Sequence, residues 1–363
     1  MNISSVGELI DFVKKKSDCN IYIWGSGVCG NALGRLFNHN KISWNGYYDN
    51  MAMDTGTYLN NKLIYRGDEL KREEKAIYIL SMRKYIGVKE QLSSQSIPDE
   101  NIIWFDDFEI FGKIENAVYD ANDYSKKIAK FKNLYEGERC FIIGNGPSLK
   151  LEDLEKLKNE KTFACNLIFQ CFDKTEWRPT NYFNIDANSI RTTFRTREKT
   201  LEIFSECENA FVRAASEMWD FRDDPEFSNM YLMNMIFSES EEDFEFSEDC
   251  SEKVIMGYTV TYTMMQMAVY MGFKEIYLIG IDHNYSKIVL QDGSIVNGKI
   301  TKDKEHADFL GNYNLPNGSE VYKVERAYMK ARQYAEDHDI KIYNATRGGN
   351  LKIFELFNFD LLF

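Results

Sequence analysis

No stretch of this chain approaches the roughly 18 consecutive apolar residues of a membrane-spanning helix, and Met1-Asn2-Ile3-Ser4-Ser5 lacks the basic-then-apolar order of a secretory leader. A cytoplasmic protein with no transmembrane segment is expected. The seven cysteines are an odd number and include no C-x-x-C pair, so neither a disulfide framework nor a zinc knuckle is indicated. Positive charge is also short: 44 Lys and Arg stand against 57 Asp and Glu. The resulting formal charge of −13 repels nucleic acid and anionic lipid on average, so a polyanionic partner is not expected. There is no internal repeat, no low-complexity tract and no Asp-x-Asp metal motif after a predicted strand.

What is present is core material for one or two α/β domains: 363 residues, 44% of them hydrophobic and 14% aromatic. The chain is organised around Cys140-Phe141-Ile142-Ile143-Gly144-Asn145-Gly146-Pro147-Ser148-Leu149. A short apolar run there ends in a glycine turn, and Pro147 suits the first position of a following helix whose apolar face is Leu151, Leu154 and Leu157. Such a strand-turn-helix brings backbone amides to an anion, for example a nucleotide phosphate, and Asn145 and Ser148 add side-chain hydrogen bonding. The same residues would also serve a tight turn that holds nothing.

An earlier stretch repeats the pattern. After an amphipathic helix over residues 6–16, Ile21-Tyr22-Ile23-Trp24 runs into Gly25-Ser26-Gly27-Val28-Cys29-Gly30, a G-x-G-x-x-G ahead of the helical residues Leu33, Leu36 and Phe37. Asp49 closes the next strand where a dinucleotide fold places its ribose-binding acid. Gly25, Gly27, Gly30 and Asp49 are therefore candidates for a second nucleotide site, with an architectural role preferred. Strands follow at 76–82 and 101–105, with a helix at 84–92. Residues 113–136 read as a connector.

Beyond the organising turn, strands are expected at 162–166 and 181–186. Ser238–Glu252, with eight acidic residues, reads as a solvated loop. Val260, Met264, Met267, Ala268 and Met271 line a core-facing helix that Gly272 terminates. Glu275–Gly280 forms a strand delivering Ile281-Asp282-His283-Asn284-Tyr285 at its carboxyl end. Residues 286–318 read as an active-site lid. A last helix carries Val321, Val324, Tyr328, Ala331 and Ala335, and a last strand leads to Ala345-Thr346-Arg347-Gly348-Gly349. Of the four histidines, His39 and His338 lie in surface segments, which leaves His283 and His306.

The four motifs Ile-Ile-Gly-Asn-Gly-Pro-Ser-Leu, Thr259-Val260-Thr261-Tyr262, Gly-Ile-Asp-His-Asn-Tyr and Tyr-Asn-Ala-Thr-Arg-Gly-Gly together resemble the 6-hydroxymethylpterin diphosphokinase MptE-like family over residues 137–360. The likeness extends to motility accessory factor glycosyltransferases and small bacterial CMP-sialic acid sialyltransferases. The first third resembles the small Rossmann-like domains found beside sugar-modifying enzymes of surface polysaccharide pathways. The resemblance implies two Rossmann-like α/β domains: a small one over 1–112, the connector 113–136, and a larger nucleotide-binding catalytic domain over 137–363. It places nucleotide phosphate and ribose near Gly144, Asn145, Gly146, Ser148 and Asn166, with Asp282 also on the nucleotide. Tyr285 would meet the departing phosphate and His306, or else His283, would be the general base. The strand end His283-Asn284-Tyr285 is one residue longer to the tyrosine than the sialyltransferase order.

Three functions follow as expectations. The first is a glycosyltransferase moving a sugar from a nucleotide-activated donor, CMP-linked and sialic-acid-like, to a hydroxyl of a glycan or lipid-linked acceptor in surface polysaccharide or glycoconjugate synthesis. It needs no metal. The second is ATP-dependent pyrophosphoryl transfer to a pterin, with Mg²⁺ held by carboxylates such as Asp186 and Asp282. The third is a non-catalytic nucleotide-binding protein.

Overall fold

The computed structural model describes residues 1–52, 56–70, 73–82, 84–107, 110–120, 124–186, 196–214, 221, 224–237, 244–301, 305–310 and 319–363. The chain divides into two compact units, Met1–Asp123 and Tyr124–Phe363.

In the first unit, β1 (Asn20–Trp24), β2 (Gly46–Asp49), β3 (Tyr58–Leu59), β4 (Lys62–Arg66), β5 (Ala76–Leu80) and β6 (Ile102–Ile103) form one sheet in the order β3-β4-β2-β1-β5-β6. All neighbours are parallel except β3 and β4. Parallel strands are covered on both faces, which is why β1 and β5 read as unbroken apolar runs. The aromatic residues of these runs pack as a layer, Trp24 on Tyr48 at 5.2 Å and Tyr22 on Tyr78 at 5.9 Å between ring centres. The β3–β4 hairpin was not anticipated from the sequence. Its two-residue turn, Asn60 and Asn61 with φ of 52° and 61°, is the left-handed pair that asparagine tolerates.

In the second unit, eight strands form an all-parallel sheet: β7 (Arg139–Ile143), β8 (Thr162–Cys165), β9 (Asn181–Asn184), β10 (Asn209–Arg213), β11 (Met230–Met233), and, after the short parallel pair β12 (Met235–Phe237) and β13 (Val254–Met256), β14 (Glu275–Ile279). The antiparallel pair β15 (Lys287–Val289) and β16 (Ile295–Asn297) intervenes before β17 (Lys341–Asn344) and β18 (Glu355–Leu356) complete the sheet. The order is β11-β10-β9-β8-β7-β14-β17-β18. The chain therefore builds outward from β7 in one direction, returns, and builds the other way from β14. The β7/β14 boundary is the topological switch point, the place where open α/β sheets generally receive ligands at the carboxyl ends of their strands.

The helix Val260–Tyr270 is buried nearly all round, with Met264, Met265, Met267 and Gln266 inaccessible. Gln266 is tolerated there because its amide is satisfied: Oε1 accepts from Ser247 N and Ile255 N, and Nε2 donates to Ile255 O.

Four expectations are corrected. Residues 113–136 are not a connector between the units: Ile110–Asp120 is a helix of the first unit and Tyr124–Ala129 a helix of the second. Ile110, Ile114 and Val118 bury on one side of the boundary, and Ile128 and Phe131 join the second core. The helix after the organising turn starts at Leu151, with Lys150 as N-cap, so Pro147 is not its first residue but part of the turn. Within the acidic run, Phe244, Phe246 and Cys250 are buried, Phe246 stacking on Tyr334 at 4.2 Å, because aromatic residues between the acids are drawn into the core; residues 238–243 lie outside the described residues. The lid segment contains the β15–β16 pair, tied to Ser319 by Val289 N→Ser319 O, while residues 302–304 and 311–318 lie outside the described residues.

Candidate functional site

The glycine turn after β7 is fastened to the loop after β14. Gly144 N donates to Ile279 O and Gly146 N to Gly280 O, each at 2.8 Å. Gly280 has φ of +63°. The glycines are required by this approach: a Cβ on Gly144 would lie 2.4 Å from Gly280 O, one on Gly280 2.7 Å from Gly144 O, and one on Gly146 2.1 Å from Asp282 Oδ2. Asp282 completes the fastening, its Oδ2 accepting from Ser148 Oγ (2.8 Å) and Ser148 N (3.3 Å). Burial pushes the Asp282 carboxyl above its ordinary range, a shift the two Ser148 bonds oppose. The amides of Gly144, Gly146 and Ser148, expected to face an anion, are thus donors within the turn.

Beside this fastened corner stand side chains with buried polar atoms that have no partner among the described residues. Asn145 Nδ2 donates to Cys165 O at the end of β8, leaving Oδ1 buried without a hydrogen-bond partner. Asn166, next along, has φ of +51° and a similarly buried Oδ1, while its carbonyl accepts from Tyr182 Oη at 2.7 Å. From the other side, Ala307 N donates to Asn145 O at 2.9 Å and so brings Glu305 and His306 to the turn. His306 Nδ1 and Glu305 Oε2 are buried and have no partner among the described residues, although Glu305 Oε1 accepts from Ser286 N at 2.7 Å. Burial lowers the His306 pKa, partly offset by the Glu305 charge, so its ring is held neutral. Buried polar atoms without partners are uncommon and costly, and among the described residues four of them lie close to this one turn.

His283 and Tyr285 stand at the carboxyl end of β14. The Tyr285 hydroxyl and His283 Nδ1 are 3.4 Å apart, and His283 Nε2 lies 3.1 Å from Glu325 Oε1 on the helix Val321–Asp337. Burial raises the Tyr285 phenol above its ordinary value. Glu305 and Glu325 escaped the sequence reading, the first as one charge in a polar stretch, the second because it flanks the buried face marked by Val324 and Tyr328. Arg347 is bound by Asp153 (2.8 and 2.9 Å) and Asp360 (2.8 and 2.7 Å), a structural cation rather than an anion receptor.

In the first unit, Asp49 does not stand free for a ribose. Its Oδ2 accepts from Ser26 N (2.7 Å) and Ser26 Oγ (2.6 Å), and Oδ1 accepts from Met51 N. A Cβ on Gly30 would lie 1.8 Å from Gly25 O and one on Gly25 2.6 Å from Ser81 Oγ, whereas Gly27 has open space. Gly27, the N-cap of the helix Val28–His39, is thus not required to be glycine by close packing.

Residues 115–287 match the family model described as 6-hydroxymethylpterin diphosphokinase MptE-like. The matched stretch contains the turn at Gly144, Asn166, Asp282, His283 and Tyr285; Glu305, His306 and Glu325 follow it. Comparison with curated proteins gave no match. Similar solved structures include sialyltransferase CstII from Campylobacter jejuni in complex with the substrate analogue cytidine-5'-monophosphate (20% identity, 61% of this chain and 85% of that one, TM-score 0.34). The MAf glycosyltransferase from Magnetospirillum magneticum AMB-1 aligns at 12% identity over 99% of this chain and 63% of its own length, with a TM-score of 0.39. The monofunctional α-2,3-sialyltransferase Cst-I from Campylobacter jejuni aligns at 18% identity over 61% and 80%, with a TM-score of 0.33. Among the described residues no helix is long and apolar enough to cross a membrane.

Proposed function

We propose that the chain is a glycosyltransferase that takes a sugar from a nucleotide-activated donor and passes it to a hydroxyl of a glycan or lipid-linked acceptor. The supporting observation is the corner at the β7/β14 switch point, beside which Asn145 Oδ1, Asn166 Oδ1, Glu305 Oε2 and His306 Nδ1 are buried with no partner among the described residues. The two asparagine oxygens and Glu305 accept hydrogen bonds, which suits the hydroxyl and amino groups of a nucleoside or sugar better than a bare phosphate. The choice of CMP as the nucleotide rests on the motif resemblance of the Gly-Asn-Gly-Pro-Ser turn.

In this reading the acceptor oxygen attacks the anomeric carbon as the bond from that carbon to the phosphate oxygen breaks, its electron pair leaving with the nucleotide. The hydroxyl proton passes to His306 Nδ1. A neutral imidazole protonated at Nε2 can take it, and burial lowers the His306 pKa, which favours the uncharged ring.

The second reading, pyrophosphoryl transfer from ATP to a pterin, is favoured by the description of the matching family. Its Mg²⁺ would be held by carboxylates such as Asp186 and Asp282, and of these Asp282 fits poorly: Oδ2 already accepts twice from Ser148, and burial favours the uncharged acid.

Thermal denaturation with CMP, UDP, GDP, NAD, and ATP plus Mg²⁺ separates the readings, because a ligand at a hundred times its dissociation constant adds about 2.7 kcal/mol to native stability. CMP alone is expected to raise the melting temperature. A shift seen only with ATP and Mg²⁺ would replace this reading by the second, and no shift with any nucleotide would leave a protein that binds none of them.

A further inference from the structure

His283 adopts φ of +54°, a conformation that a non-glycine residue keeps only when its surroundings hold it. Its side chain is 8% exposed and is engaged at both ring nitrogens, Nε2 by Glu325 Oε1 and Nδ1 by the Tyr285 hydroxyl. A carboxylate accepts and cannot donate, so the hydrogen between Nε2 and Glu325 belongs to the imidazole. A neutral imidazole carries one ring N–H. Nδ1 is then the acceptor, and the hydrogen between it and Tyr285 belongs to the phenol.

We infer that Glu325 is a positioning residue, which from the helix Val321–Asp337 fixes His283 in the Nε2–H tautomer and so commits the Tyr285 proton to Nδ1. A phenol in that state offers a ligand only its lone pairs. Tyr285 therefore receives a group that donates, a hydroxyl of the sugar or of the acceptor, and does not meet the departing phosphate, which likewise only accepts. The surroundings agree: Glu305 and Glu325 are both close enough to act electrostatically on the phenol, and two carboxylates disfavour a further anion beside them. The use of Tyr285 as a hydroxyl receptor rests on the transferase reading, whereas the tautomer does not.

The test begins without any ligand. Nitrogen-15 spectra of the full chain at pH 8, with the His283 ring assigned by its loss in His283→Gln, should show the Nε2–H tautomer. Glu325→Ala should shift the ring to a mixture or to Nδ1–H, and Glu325→Gln, whose amide oxygen can still accept, should restore it. Glu325 has a 47% exposed side chain, so these variants are expected to melt as the parent does. A parent ring in the Nδ1–H form, or a tautomer unmoved in folded Glu325→Ala, overturns the positioning role.

A second arm uses CMP as probe on Tyr285→Phe. An unchanged CMP-induced melting shift is expected, together with a raised KM for donor or acceptor, and a lost shift would return Tyr285 to the phosphate. If the parent itself shows no CMP shift, the transferase reading fails, Tyr285 loses its assigned ligand, and the spectra decide the role of Glu325. With turnover in hand, Glu325→Ala should lower kcat about tenfold or more, and Glu325→Gln should recover much of it.

Discussion

Both units place a glycine turn after a central strand, and both fasten that turn with the same device: an aspartate oxygen that accepts from the backbone and the hydroxyl of one serine. In the first unit Asp49 holds Ser26; in the second, Asp282 holds Ser148. The difference lies in what surrounds the turn. Asp49 ends β2, directly beside β1, and Met51 N takes its other oxygen. Asp282 arrives across the switch point, and around its turn stand four unpartnered buried polar atoms and the His283–Tyr285–Glu325 chain. A glycine turn with an aspartate is thus a way of closing a βα corner, and the chemistry is supplied by the side chains added to it.

Three measurements would break or sharpen that contrast. The largest expected effect is on turnover: His306→Ala should lose about a hundredfold to ten-thousandfold in rate with little change in melting, as removal of a general base does. No change in the Asp49 corner should match it. Near-native turnover in His306→Ala alongside a loss in His283→Ala would move the base to the β14 end.

Next come the glycines. Gly30→Ala and Gly146→Ala should each destabilise by about 1–3 kcal/mol in urea titration, since each new Cβ meets an oxygen at 1.8 and 2.1 Å respectively. Gly27→Ala, with nothing within 4 Å and φ of −69°, should stay within about 0.5 kcal/mol. A large loss at Gly27 would show that the first turn is under a constraint other than packing.

The smallest effect is on pH dependence. His306 has a folded pKa below its unfolded value near 6.5, so it contributes stability above that pH that is lost as pH falls through the folded pKa. His306→Gln should flatten this slope on the acid side. A parent whose stability does not fall there would mean that the ring is not held neutral by burial.

Much of the frame was readable because apolar runs bounded by glycine are strong signals for buried parallel strands, as at Ile21–Trp24, Cys140–Ile143 and Ile276–Ile279. The methionine helix was readable for the same reason, its apolar period being intact. The strands at 209–213 and 230–233 were missed because Asn209, Arg213 and the surrounding acids hide short apolar cores. Asn145, Asn166, Asp282 and His306 were named from the sequence, but how they are bound was not visible: that Ser148 answers to Asp282 depends on a contact 134 residues apart in sequence. Glu325 was illegible for a related reason. An acid on the flank of a helix looks solvated until a partner from a distant strand is placed against it.

Gly144 and Gly280 each exclude a side chain on the other's account, the Cβ of either meeting the carbonyl of its counterpart at 2.4 and 2.7 Å. In mutational terms this makes the two positions epistatic. Whichever is replaced first forces the corner open and bears most of the penalty, and the second replacement then enters space already surrendered. The summed single effects should exceed the double, as expected for residues in contact. A library varied one position at a time would record two independent necessities where the molecule has a single shared one.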